Sequence, residues 1–163
     1  MVIYYISIFV PIIGIYLEKK IDRNYDFLFY FLYSIALSIY IGFRDQIGGD
    51  WYTYSQLFIK VSNLNFYEIL NIRYEFGYLI LNWLVAKIGL GIHYVNFICA
   101  IIFVTGLLIF CFHQPYKWLG ILISTPYLIN VVAMGATKQS AALGFIMISY
   151  VSWQKQKSVY LII

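Results

Sequence analysis

Charged residues are scarce in this chain. Only 11% of its 163 residues are Asp, Glu, Lys or Arg, whereas ordinary soluble domains contain about 25%. Apolar residues make up 63%, the mean hydropathy is +0.79, and the apolar residues occur in long blocks. A soluble core does not need such blocks, so the composition predicts an integral membrane protein embedded in a lipid bilayer.

Cysteine and the motifs of soluble enzymes are also rare or missing. The two cysteines, Cys99 and Cys111, lie in one apolar block, and on a helix they would be roughly 18 Å apart, too far for a disulfide. No Cys/His spacing suggests a metal, and the chain has no P-loop, dinucleotide fingerprint, GxSxG or HExxH. The basic residues flank apolar blocks and form no basic face. We therefore expect no metal, no cofactor and no nucleic-acid partner.

Apolar blocks are present in the number that a multi-pass protein needs. Lys19, Lys20 and Arg23 follow the first block and place the first loop in the cytoplasm by the positive-inside rule. Residues 44–76 then form an extracytoplasmic loop with short amphipathic helices. The predicted fold is an all-α, polytopic membrane helix bundle with about six spans and the start of a seventh in SVYLII. The predicted spans are residues 2–17, 27–43, 77–90, 94–112, 118–134 and 140–153.

One conflict remains in this topology. Six crossings from an outer N-terminus leave Lys155 and Lys157 outside, against the positive-inside rule. Either the block with Pro126 enters and returns on one side, which requires a protein cover, or one helix among residues 53–76 crosses. We prefer the first interpretation because it places Lys138 on the face of Arg44. We treat residues 1–163 as one membrane domain, the N-terminal part of a longer protein.

The most polar segment between predicted spans is FRDQIGGDWYTY, residues 43–54. The positive-inside rule disfavours Arg44 as a mere anchor on an outer face. Gly48 and Gly49 allow unusual backbone angles and close approach to a ligand, and a guanidinium binds phosphate or pyrophosphate through two hydrogen bonds. Asp50 adds a carboxylate. The alternative is a tight turn that carries a surface Arg–Asp pair.

Three aromatic residues follow directly, namely Trp51, Tyr52 and Tyr54. Aromatic rings of this kind form belts at the membrane interface, where the ring is apolar and the polar atom stays hydrated. They also stack against sugar rings. The sequence does not separate these two interpretations.

A polar stripe is predicted where the third span begins. Glu75, Tyr78 and Asn82 share one helix face, and such a stripe normally faces a bundle interior or a water-filled cavity. Glu75 is a candidate general base or a partner of Arg73. Asn82 is a candidate hydrogen-bond donor to a neighbouring helix.

A second cation lies in GATKQSAALG, residues 135–144. Lys138 could bind a phosphate as a point charge, with Gln139 beside it, or could be a simple loop lysine. The small residues after them allow neighbouring helices to approach closely. They are Ser140, Ala141, Ala142 and Gly144.

Three segments in series resemble the EpsG-like family of bacterial membrane proteins, relatives of Wzy-type polysaccharide polymerases. They are FRDQIGGDWYTYSQLF (43–58), YEFGYLILNWL (74–84) and GATKQSAALG (135–144). Two features depart from the family pattern. Lys138 stands where the family usually has Arg, which keeps the charge but loses bidentate geometry. Family members also continue through several more spans.

The resemblance implies an enzyme of the bacterial inner membrane that makes exopolysaccharide or capsule, alongside other polysaccharide-assembly proteins. Such enzymes join oligosaccharide repeat units carried on undecaprenyl pyrophosphate. By this resemblance, Arg44 would contact the pyrophosphate and Asp50 would orient Arg44 or the acceptor sugar. Glu75 would activate an acceptor hydroxyl, and Lys138 with Gln139 would give a second phosphate contact.

Two other functions remain open from the sequence. A transporter would move the lipid-linked saccharide without making a bond, and it would need a continuous polar path through the bilayer. A scaffold without catalysis would tolerate neutralisation of every loop charge.

Overall fold

The computed structural model describes residues 2–18, 20–72 and 75–160, without the side chains of residues 2–4, 6 and 157–160. Lys19, Arg73 and the end of the predicted seventh span lie outside the described residues. The chain is 82% helical, and the described part contains no strand. The helices are α1 (Val2–Leu17), α2 (Arg23–Gly42), α3 (Trp51–Ser62), α4 (Phe66–Leu70), α5 (Phe76–Lys87), α6 (Ile92–Phe112), α7 (Lys117–Ser124), which continues as a π-helix (Thr125–Ala133), and α8 (Thr137–Tyr160).

Helices α2 and α6 lie side by side in opposite directions and define two ends of the bundle. Near the start of α2, the Tyr30 hydroxyl donates to the Leu108 carbonyl at 2.8 Å. Just after α2 ends, the Phe43 ring packs on Phe97 with centroids 5.0 Å apart. We call the first the Asp26 end, where α2 and α7 begin and α6 ends. We call the second the Arg44 end, where α2 ends and α6 and α8 begin.

The core of the bundle follows helical spacing. On α2 the buried apolar residues recur every three or four positions, which puts them on one face. They are Tyr30, Tyr33, Leu37 and Ile41. The opposite face of α2 exposes large apolar side chains at the same spacing, namely Phe27, Phe31, Ile35 and Ile39. The two faces of α2 are therefore both apolar, and only one of them is covered within the described chain.

Glycines bring α6 and α8 into backbone contact. A Cβ atom on Gly106 would lie 2.3 Å from the Gly144 carbonyl oxygen, and one on Gly144 would lie 2.5 Å from the Ile102 oxygen. Neither helix could approach so closely with a larger residue at these positions. The prediction that small residues after Lys138 permit close helix packing is confirmed at Gly144.

The block that contains Pro126 runs the length of the bundle. Its first residue, Lys117, pairs with Asp26 at one end, and Met134 and Gly135 lie against Gly48 at the other. Pro126 lies at the start of the π-helix, where its missing N–H removes one helical hydrogen bond and the wider turn accommodates its ring. The interpretation in which this block enters and returns on the same side is therefore wrong.

Helix α5 does not run the length of the bundle. Glu75, just before it, contacts Lys138 at the Arg44 end, and a connection of four residues leads from Lys87 to the start of α6 at that same end. Its 12 residues span roughly 18 Å. The helices α3, α4 and α5 form a small cap with a separate apolar cluster, built on Val61, Ile69 and Leu79. The short helices predicted for residues 53–76 are confirmed as α3 and α4.

The direction of α8 bears on the conflict over the position of Lys155. Helix α8 runs from the Arg44 end beside α6, with the Phe110 and Tyr150 rings 5.9 Å apart, so Lys155 lies towards the Asp26 end. Two of the described helices, α2 and α6, are long and apolar enough to cross a membrane. The count of six spans is not confirmed, because the block at residues 77–90 forms part of the cap.

Candidate functional site

Arg44 is a buried cation that ties three helices together. Its side chain is 4% exposed, and its Nη1 donates to the Ile41 carbonyl at 2.9 Å. Its Nη2 donates to Thr137 Oγ1 at 2.6 Å, and that hydroxyl donates to Asn96 Oδ1 at 3.2 Å. The guanidinium therefore joins the end of α2 to α6 and to the start of α8.

No carboxylate lies at ion-pair distance from Arg44 within the described residues, whose ion pairs are Lys117–Asp26 and Lys138–Glu75. Burial lowers the pKa of Arg44 from its ordinary value, and the nearby Tyr78 phenol partly offsets that effect. An arginine nevertheless stays protonated in a protein. The Arg44 end thus holds a buried positive charge that only neutral groups solvate.

Several buried polar atoms around Arg44 lack a hydrogen-bond partner within the described residues. Two of them are donors beside Arg44, namely Arg44 Nε and Asn96 Nδ2. The other two, Tyr78 Oη and Asn82 Oδ1, belong to side chains that interact with each other. Buried polar atoms are normally paired, and an unpaired one costs about 1–3 kcal/mol. The two donors beside Arg44 accompany a cation. Such a combination favours a negatively charged ligand over a neutral or positive one.

Lys138 is a half-buried cation next to Thr137 at this end, whereas the exposed Lys60 and Lys87 lie on α3 and α5 of the cap. Its Nζ donates to both oxygens of Glu75, at 2.6 and 2.7 Å. The rings of Tyr54 and Tyr78 flank the ammonium, with centroids 5.4 and 5.8 Å from Nζ. The ion pair borders a cavity of about 410 Å³, which is lined by Glu75, Phe76, Gly77, Tyr78, Lys138, Gln139 and Ala142. A solute can reach this pair, whereas Arg44 lies behind it.

The glycine pair of the loop has a packing role at one of its two positions. Gly48 has φ +101°, and a Cβ atom there would lie 2.6 Å from the Met134 carbonyl oxygen. A side chain is therefore excluded at Gly48 because the loop packs against the end of the π-helix. Gly49 has no neighbour within 4 Å of its Cβ position. Asp50 is exposed at the start of α3, where its carbonyl accepts the Tyr54 N–H at 3.0 Å, and it does not pair with Arg44.

The three loop aromatics occupy different environments. Tyr54 is buried beside Lys138, and its ring lies 5.6 Å from that of Tyr78. Burial raises the pKa of Tyr54 and of Tyr78, so both phenols stay neutral. Trp51 packs against His93, with centroids 5.4 Å apart, whereas Tyr52 is 73% exposed. Only Tyr52 presents a free ring face to a sugar or to a membrane interface.

The predicted stripe on α5 is present, but its members differ in accessibility. Glu75 reaches the cavity and Tyr78 lines it, whereas Asn82 is fully buried. The Asn82 amide donates to the Tyr78 carbonyl of the same helix at 2.7 Å, so the expected bond to another helix is not the one it makes. Gln139 is exposed on the cavity wall next to Lys138.

A comparison with known protein families agrees with the order of these motifs. The model of the EpsG family matches residues 27–163, which include both cations and the whole cap. This chain belongs to the EpsG family. Searches among curated proteins and among solved structures returned no match. Family membership suggests a function related to polysaccharide biosynthesis and, together with the two long apolar helices, a membrane protein.

Two residues of this EpsG-family site were missed by sequence reasoning. Thr137 accepts from the Arg44 guanidinium and donates in turn to Asn96, although 93 and 52 positions separate these two residues from Arg44 in the sequence. Asn96 could have been identified from the sequence, because an amide in an otherwise apolar helix usually faces a polar partner inside a bundle. Thr137 is harder to identify from the sequence, since only its position next to Lys138 in GATKQSAALG points to it.

Proposed function

We propose that this EpsG-family protein polymerises lipid-linked oligosaccharide repeat units into exopolysaccharide or capsule. In this proposal the carrier is undecaprenyl pyrophosphate, and its phosphates bind at the Arg44 end. The observation that carries the proposal is Lys138, an accessible ammonium on the wall of a 410 Å³ cavity with a buried second cation behind it. Cationic groups at this position stabilise a pyrophosphate leaving group.

The proposed topology places the Arg44 end outside the cell. The helices that run the length of the bundle are α1, α2, α6, α7 with its π-helical continuation, and α8. The short loop between α1 and α2 carries Lys20, and Arg23 follows it as the first residue of α2, which favours the cytoplasmic side for the Asp26 end by the positive-inside rule. Lys117 and Lys155 lie at the same end, whereas Lys60 and Lys87 lie on the cap. The uncovered apolar face of α2 is typical of a helix that faces lipid. The cap of α3–α5 then lies on the outer surface, where lipid-linked repeat units are joined.

The proposed reaction uses the residues of the cavity. A hydroxyl of the acceptor sugar attacks the anomeric carbon of the donor, and a new C–O bond forms while the bond to the pyrophosphate breaks. The electron pair of the broken bond stays on the pyrophosphate beside Lys138, and the hydroxyl proton passes to Glu75. Gln139 and the exposed Tyr52 contact sugar. Arg44 is buried and contributes a positive charge to the site. Its hydrogen bond to Thr137, the residue before Lys138, positions Lys138.

A deletion strain separates the proposed function from transport. Without the protein, we expect single repeat units to accumulate on their lipid carrier at the outer face of the membrane, and no long polymer. The measurement is mass spectrometry of extracted lipid-linked saccharides, after treatment of sealed spheroplasts with a glycosidase that reaches only the outer face of the membrane. Repeat units that resist the glycosidase in sealed spheroplasts would contradict polymerisation and indicate a transporter.

A further inference from the structure

The carboxylate of Glu75 binds the side of the Lys138 ammonium that faces the cavity. An ammonium has three hydrogens to donate, and Lys138 directs bonds to both Glu75 oxygens at 2.6 and 2.7 Å. The rings of Tyr54 and Tyr78 cover other sides of the ammonium. An anion that binds Lys138 from the cavity therefore competes with the Glu75 carboxylate for the hydrogens of the ammonium.

The backbone holds Glu75 in this place against its own preference. Glu75 has φ +56° and ψ +30°, which is the left-handed region that residues other than glycine seldom adopt. The residue precedes the first residue of α5, so its side chain can turn away from Lys138 while the helix stays intact. A strained residue at the mouth of a cavity is a common feature of sites that change on binding.

The ion pair is weak enough to be exchanged. The side chains of Lys138 and Glu75 are 30% and 48% exposed, and ion pairs in contact with water are typically worth about 0–1 kcal/mol. A pyrophosphate carries more negative charge than one carboxylate. It would also receive the field of Arg44, whose Nε has no partner within the described residues.

We propose that Glu75 is a displaceable counter-ion, which the phosphate groups of the substrate replace on Lys138. The inference rests on the proposed function, because it takes Lys138 as the phosphate contact. Displacement has a consequence for the reaction. While Glu75 binds Lys138 its oxygens are engaged, and only the released carboxylate accepts the proton of the acceptor hydroxyl. Substrate binding thereby prepares the base.

The test is a titration of the purified full chain in detergent micelles with inorganic pyrophosphate, followed by calorimetry. Glu75→Gln keeps the shape of the side chain and removes its charge, so we expect the Kd to fall about twofold to fivefold. Lys138→Gln should abolish binding, and adding Glu75→Gln to it should change nothing further. Asp45→Asn is the matched control, since it removes an exposed carboxylate at the same end that makes no ion pair in the described chain.

A second readout excludes a merely structural role. Glu75→Gln should bind pyrophosphate more tightly and yet lose polymer growth by about 100-fold or more, because the general base is missing. An unchanged or weaker affinity in Glu75→Gln would overturn the displacement, even if Lys138 still binds the anion. Wild-type affinity in Lys138→Gln would instead overturn the proposed function itself.

Discussion

Two lysine–carboxylate pairs lie at opposite ends of this bundle, and they are built differently. At the Asp26 end, Lys117 binds Asp26, whose other oxygen accepts the Trp118 Nε1–H at 3.0 Å. The side chains of this pair are 12% and 8% exposed, and Trp118 is fully buried. At the Arg44 end, the Lys138–Glu75 pair is open to a cavity and has unpaired donors behind it.

We propose that this difference separates an ion pair that stabilises the fold from one that takes part in function. The Asp26 carboxylate is satisfied by partners from α7, so the pair fixes α7 against α2. Lys117 also borders a cavity of about 410 Å³, together with Arg23. The Lys138–Glu75 pair contributes little to stability because water competes for both charges. Residue types alone do not distinguish the two pairs. Their exposure and their neighbours do.

Asp26→Ala is the change expected to lower the free energy of unfolding most. It leaves the Lys117 ammonium and the Trp118 N–H buried without their acceptor, and breaking a buried pair in this way costs about 3–5 kcal/mol. The measurement is thermal unfolding in detergent. Asp22→Ala is the control, because Asp22 is exposed and its side chain makes no capping hydrogen bond, so its effect should stay within about 0.5 kcal/mol.

One result would contradict the stabilising role of the Asp26–Lys117 ion pair. If Asp26→Ala and Asp22→Ala unfold at the same temperature, the Asp26 end is not held by its ion pair. A double change, Asp26→Leu with Lys117→Met, should recover much of the lost stability, because the unpaired charge is gone as well.

Gly48→Ala tests the Arg44 end without touching a charge. The added methyl group would meet the Met134 oxygen at 2.6 Å and would need a positive φ, so we expect a loss of about 2–3 kcal/mol. Gly49→Ala, one position later, meets no atom within 4 Å and should change the free energy of unfolding by less than about 0.5 kcal/mol. Equal unfolding temperatures for the two variants would show that the loop is not packed on the π-helix.

Much of the helical content could be predicted from the sequence. The predicted spans at 27–43 and 94–112 agree with α2 and α6 within a few residues. A long apolar block forms a helix because a helix pairs every backbone N–H and C=O within the segment. The role of the block at 77–90 could not be predicted. Its composition resembles that of a span, and only its contacts with α3 and α4 assign α5 to the cap.

The candidate site was predictable in part. The sequence singled out Arg44, Glu75 and Lys138, and the structure places all three at one end of the bundle. It gave no measure of burial, which separates the buried Arg44 from Lys138 on the cavity wall. Arg73, the partner that the sequence suggests for Glu75, lies outside the described residues, and the carboxylate binds Lys138 across 63 positions of sequence. Such a pairing depends on the fold and leaves no local pattern.

Lys138→Gln is expected to change stability little, and it gives the most direct test. The account predicts that this variant unfolds within about 1 kcal/mol of the wild type, since its ion pair is exposed. Polymer formed in the deletion strain should nevertheless fall by about 100-fold or more, because the pyrophosphate loses its contact. Polymer of wild-type length and amount from a stably folded Lys138→Gln protein would contradict the central claim.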